Sequence, residues 1–171
     1  MNIKLTFSAA VTFTVLASAC LGVSYSITDI GDFTASGINN FGQVVGTAYM
    51  ADAYANHAIV WDSTNGIRDL GSLVPGYGSY GRDINDAGQV TGSGRVPYGG
   101  LGQYHAFRWS VDEGMVDLGA LSGDNMAVGF AIDQAGHVYG VSASWNDRLT
   151  EFFEWSEDSG MIALGLPRYG Y

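Results

Sequence analysis

Residues 38–46, INNFGQVVG, return as INDAGQVTG at 84–92 and as IDQAGHVYG at 132–140, at offsets of 46 and 48. Self-similarity at such a period is the signature of a repeat architecture. In each copy the turn residues stand between short apolar stretches. Asn-Asn-Phe-Gly, Asp-Ala-Gly and Gln-Ala-Gly supply residues that tolerate positive φ, as a tight hairpin requires. The word therefore predicts two strands joined by a turn, three times over.

Two further words share the period. HAIVW (57–61), HAFRW (105–109) and EFFEW (151–155) bring Trp61, Trp109 and Trp155 into register, and GIRDLG (66–71), GMVDLG (114–119) and GMIALG (160–165) close each repeat. Asp62-Ser63-Thr64-Asn65-Gly66 and Asp112-Glu113-Gly114 are turn signals between the Trp strand and the closing strand. Side chains alternate along a strand, which sets His105, Phe107 and Trp109 on one face and Ala106 with Arg108 on the other. Each repeat thus offers about four short antiparallel strands, the size of a propeller blade, and a sheet that small must stack on its neighbours to bury its faces. The expected fold is all-β and propeller-blade-like, with three full repeats at about 32–73, 74–121 and 122–166. SITDIG (26–31) reads as a stray N-terminal strand, the closing segment of a repeat whose front is missing. Thirteen strands do not fill a ring, so the reading is an incomplete propeller, in which open faces favour self-association or mark a shortened array.

The chain has 171 residues, 47% apolar and 14% charged, a balance that buries a core in one domain. It is acidic, with 17 Asp and Glu against 7 Lys and Arg, and the only lysine is Lys4. A field of that sign repels phosphate backbones and anionic membrane surfaces, which excludes nucleic acid as a partner. At the N-terminus, Lys4 precedes a mostly apolar run from Leu5 to Leu16 and the small-x-small site Ala17-Ser18-Ala19. That order predicts a signal peptide at 1–19 and an exported domain at 20–171, and the run is too short to span a bilayer. Cys20, the only cysteine, follows the expected cut and has no intramolecular partner. LASAC resembles a bacterial lipobox, with Ala17 where leucine is preferred. The expectation is a cell-surface or outer-membrane lipoprotein held through lipidated Cys20, with free secretion as the alternative; the membrane is met only through that anchor.

His57 precedes Asp69, and His105 precedes Asp117, by twelve residues, while the third repeat changes both members, to Glu151 and Ala163. Members that change together are expected to touch. The favoured reading is a structural His–Asp hydrogen bond, against a catalytic base or metal ligand present in two copies without a nucleophile or third ligand. Gly76 to Gly81 fits G-x-G-x-x-G but leads into a strand rather than a helix. Asp83, Asn85 and Asp86 with Gly88 faintly resemble a calcium loop, yet offer fewer than the six or more oxygens calcium takes. The sequence therefore calls for no catalytic residue, metal or cofactor. Tyr77, Tyr80, Tyr98 and Tyr104 stand among glycines and are the candidate ligand-contacting aromatics, with ordinary packing as the plainer alternative.

INxxGQVxG, HAxxW and GxxDLG together resemble the HAF-repeat extracellular protein family of bacteria, named for the word intact at His105-Ala106-Phe107, and the likeness covers nearly all of Tyr25 to Leu166. The resemblance implies an exported, repetitive β protein and no reaction. The third repeat departs from it at His137, Glu151, Phe152 and Ala163. The functional expectation is a non-catalytic cell-surface or secreted interaction module for a glycan or protein. The alternative is a polysaccharide hydrolase or lyase using acids such as Asp52, Asp124 and Asp147.

Overall fold

The computed structural model describes residues 26–98, 101–144 and 150–165, with Tyr98, Leu101 and Gly102 given by backbone alone. The chain divides into two compact units, Met1–Asp32 and Phe33–Tyr171. The predicted signal peptide and Cys20 lie outside the described residues. Of the first unit, residues 26–32 are described, and SITDIG forms no strand. Its Asp29 carboxylate instead accepts the Gly31 amide at 3.0 Å, a local turn that uses the groups a ladder would need. The thirteenth strand expected from this segment is therefore not formed.

The second unit is all-β. Its strands among the described residues are β1 (Thr34–Ile38), β2 (Val44–Met50), β3 (Ala55–Asp62), β4 (Gly66–Asp69), β5 (Ser79–Ile84), β6 (Val90–Tyr98), β7 (Leu101–Ser110), β8 (Gly114–Gly119), β9 (Met126–Ile132), β10 (Val138–Ala143), β11 (Thr150–Ser156) and β12 (Gly160–Ala163). They make two sheets. One has the order β1-β2-β3-β4; the other runs β12-β11-β10-β9-β7-β6-β5, with β8 on β7. Neighbours are antiparallel except β7 and β9, which meet in parallel at Tyr104 and Met126. Neither sheet closes into a barrel.

The word INxxGQVxG builds the same hairpin each time. In its second copy the Asn85 amide donates to the Gln89 carbonyl at 3.0 Å, Gly88 takes φ 75°, and the Asn85 side chain caps the turn by accepting the Gln89 amide at 2.9 Å. Gly88 is glycine because a side chain there would be forced into the left-handed region. Beyond the turn the pairing slips by one residue: Gly81 faces Gly92 but Asp83 faces Thr91, leaving Arg82 as a bulge. Ser36 and Phe130 stand in the corresponding slips of the other two hairpins. The last glycine of the word answers that bulge, because a Cβ on Gly46, Gly92 or Gly140 would collide with the carbonyl oxygen of Thr34, Tyr80 or Val128.

Two apolar cores follow from the alternation along the Trp strands. Phe107 packs with Val45, Ala58, Val60, Leu70, Ile84 and Val90. Ala106, on the opposite face, packs with Leu118, Ala127, Ile132, Val138 and Phe153. Strand β7 thus separates two cores, and both of its faces are buried. The small residue of the His-Ala-Phe word lies close to a neighbouring strand: a Cβ on Gly81 would stand 3.5 Å from Ala58 Cβ, at ordinary contact distance. Ala58 and Ala106 are buried, whereas Phe152, in the same place in the third copy, is 46% exposed. A large side chain is tolerated there because the face carrying it is open.

Candidate functional site

The His–Asp pairs are formed. His57 Nδ1 lies 2.9 Å from both Asp69 oxygens, and His105 Nδ1 lies 2.9 Å from both Asp117 oxygens. Each carboxylate also accepts a backbone amide two residues on, from Gly71 and Gly119, at 2.8 Å. A carboxylate can only accept, so Nδ1 of each ring carries the proton. His57 is buried and its Nε2 meets no hydrogen-bond partner. A general base must reach a substrate proton through that atom. The burial favours a tie between β3 and the end of β4 over catalysis. The Asp69 side chain is 40% exposed and keeps the Gly71 amide, so His57→Ala is expected to cost about 1 kcal/mol for the lost hydrogen bond, together with the packing of a buried ring. His105, whose side chain is 25% exposed, should cost less. In chemical denaturation, the His57→Ala, Asp69→Ala double variant should lose less than the sum of the singles; strict additivity would argue that the two groups do not interact.

The acidic turn residues serve as ties from one repeat to the next. Asn39 Nδ2 donates to Asn85 O at 3.0 Å, and Asn85 Nδ2 donates to Asp133 O at 2.8 Å, across 46 and 48 residues. Asp86 accepts Asn40 N and Nδ2, and Asp83 accepts Ile132 N. The residues of the faint calcium loop are thereby each committed to a different hydrogen bond. The bonds from Asn40 hold the Asp86 carboxyl below the usual carboxylate range. Burial pushes Asp133 up, but the backbone bond and charge of His137, with the Ala135 and Gly136 amides, bring it down on balance.

The third repeat answers its own misspellings. Asp133 and His137 replace the Asn–Gln pair of the other turns, 3.2 Å apart at Nδ1. His137 Nδ1 also stands 3.8 Å from Glu154, and the Tyr139 hydroxyl donates to Glu154 at 3.3 Å. The positions corresponding to Tyr139 and Glu154 are Val45 and Val60 in the first copy and Thr91 and Arg108 in the second. The series runs from apolar in the first copy to polar in the third.

The tyrosines gather, though half-buried rather than bare. Tyr80 on β5 and Tyr104 on β7 set their ring centroids 6.2 Å apart, tilted by 51°. They line a cleft of about 270 Å³ with Arg82, Ser93, Met126 and Val128. Tyr77 lies under Arg95, whose guanidinium is 5.8 Å from the ring centroid. Tyr98 ends β6, and its side chain lies outside the described residues. Asp52 sits in the exposed turn before β3 and Asp124 in the turn before β9, where its Oδ2 is buried without a partner; Asp147 lies outside the described residues. The bulged Arg82 and the apolar floor of Met126 and Val128 were not singled out from the sequence, because β9 reaches this cleft only through its parallel meeting with β7.

No protein-family model matches this chain. Neither a curated protein nor a solved structure is significantly similar to it.

Proposed function

We propose that this chain is a non-catalytic, exported interaction module of the HAF-repeat type. In this reading its three groups of four strands are successive blades of an incomplete propeller, and Cys20 is the lipid-bearing residue that holds it at the cell surface. The recurrence of the same bulge and turn ties at intervals of 46 and 48 supports the repeat architecture. The observation that carries the function is the Tyr80–Tyr104 cleft. Two amphipathic rings, a buried serine hydroxyl and an apolar floor, with the exposed Arg82 at the rim, are what a binding site needs to hold a glycan or a peptide segment.

The experiment is retention of the signal-free protein on immobilised polysaccharides and on cell-surface protein extracts, with soluble reducing ends assayed in parallel. The expected result is retention without release, weakened about tenfold or more by Tyr104→Ala, as loss of an aromatic anchor does. Release of reducing ends would instead support the hydrolase or lyase reading, and retention unchanged in Tyr104→Ala would remove this cleft from the function.

A further inference from the structure

A second cleft, of about 240 Å³, lies where β3 and β4 meet the turn before β6 and the end of β7. Trp109 lines it, with Val60, Asp62, Asn65, Arg68 and Asp86. The repeats show why it is open. One period on, Arg108 occupies the place of Val60, and the equivalent space is filled. Its guanidinium lies 4.8 Å from the Trp155 ring centroid, 2.8 Å from Glu113 and 3.7 Å from Glu157. Trp155, Glu113 and Glu157 are the counterparts of Trp109, Asn65 and Val111. The same architecture thus makes one plugged cleft and one open one, and valine in place of arginine is the difference.

From this lining we infer that the open cleft is a subsite for a single neutral pyranose ring. The inference rests on the reading of the chain as a binding module and gives it a ligand class. An indole offers an apolar face to the C–H side of a sugar ring, while two carboxylates, an amide and a guanidinium offer acceptors and donors to its hydroxyls. Hydrogen bonds to ionised groups are the stronger kind. Both carboxyls are held ionised, Asp62 by the Asn65 side chain and the Asn65 and Thr64 amides, and Asp86 by Asn40. Two carboxylates against one guanidinium, on a chain of net charge −10, select against uronic acids and sulfated sugars. The volume lies below the roughly 300–1,000 Å³ of pockets that enclose larger ligands, which suits one ring.

The test is titration of the isotope-labelled, signal-free protein with glucose, galactose and N-acetylglucosamine, with glucuronate as the anionic control, read by amide and indole NMR shifts. At least one neutral sugar should shift Trp109, Asn65 and the 86–88 turn with Kd of about 1–10 mM, and glucuronate should not. Val60→Arg with Asn65→Glu copies the plugged cleft and should abolish the shifts. Arg68→Ala, at an exposed position, should weaken them severalfold should the plug disturb folding. No shift from any neutral sugar, or shifts lost in Tyr104→Ala and kept in the plugged variant, would overturn the subsite while leaving the interaction module standing. Release of reducing ends would overturn the module itself.

Discussion

Gly92→Ala is expected to destabilise the protein by about 4 kcal/mol, at the top of the range for single substitutions. The added Cβ collides with the Tyr80 carbonyl oxygen across the bulge and stands 3.0 Å from Cε1 and Cζ of Phe107. Neither neighbour can give way: the carbonyl belongs to a paired strand, and Phe107 is fully buried in the first core. Gly140→Ala meets the same obstacles in the Val128 carbonyl and the Phe153 ring. Gly46→Ala should cost less, because its obstacle is the exposed Thr34 at the edge of the first sheet. Gly42→Ala is the control. It has open space around it and φ 74°, so it carries only the left-handed penalty of about 1–2 kcal/mol. Urea denaturation followed by tryptophan fluorescence ranks the four. Gly92→Ala within about 1 kcal/mol of the parent would mean that the bulge relaxes and that the glycine of the repeated word has another origin.

These glycines show how far the sequence could be read. Strands, turns and the pairing of His57 with Asp69 follow from local chemistry, namely alternation, residues tolerant of positive φ, and two side chains that change together. The bulge does not, because it is a property of two strands seen together; only its consequence, a fixed glycine eight residues after the isoleucine, is written in one. The stray SITDIG strand failed for a related reason, since a closing segment becomes a strand only when a partner edge is at hand. The two clefts were hidden more deeply. Trp109 and Asp86 stand 23 residues apart and line one cleft with Asp62 only because the two sheets come together there. A legible signal existed nonetheless, in the series Val60, Arg108 and Glu154 at one repeated position. A position that changes from apolar to cationic to anionic through otherwise similar repeats marks a changing environment rather than a shared core. The third copy confirms the logic residue by residue: Phe152 replaces a buried alanine on an open face, and Glu154 with His137 gives that face its polar cover. In the first copy Ile38 is 67% exposed, whereas Ile84 and Ile132, its counterparts, are buried among residues of the preceding copy.

Asn85→Ala should have the second largest effect, about 3 kcal/mol, because one side chain serves both its own turn and the next. Asn85 is 2% exposed. It accepts the Gln89 amide, donates to Gln89 Oε1 at 2.8 Å, and donates to Asp133 O in the following repeat. Truncation leaves all three partners short of a bond. The third repeat suggests how to separate these contributions, because Asp133 with His137 is a working turn pair that has no amide to donate onward. Asn85→Asp keeps the cap on the Gln89 amide but sets a carboxylate against two acceptors, and it should be nearly as damaging as alanine. Adding Gln89→His recreates the Asp–His pair and should recover the part of the loss that belongs to the turn. What the double variant fails to recover contains the lost hydrogen bond from Asn85 to Asp133 together with the repulsion between the new carboxylate and the Asp133 carbonyl, and is expected at about 1–2 kcal/mol. Full recovery to parental stability would mean that the tie between repeats contributes nothing, and that the cores around Phe107 and Phe153 alone hold successive repeats together.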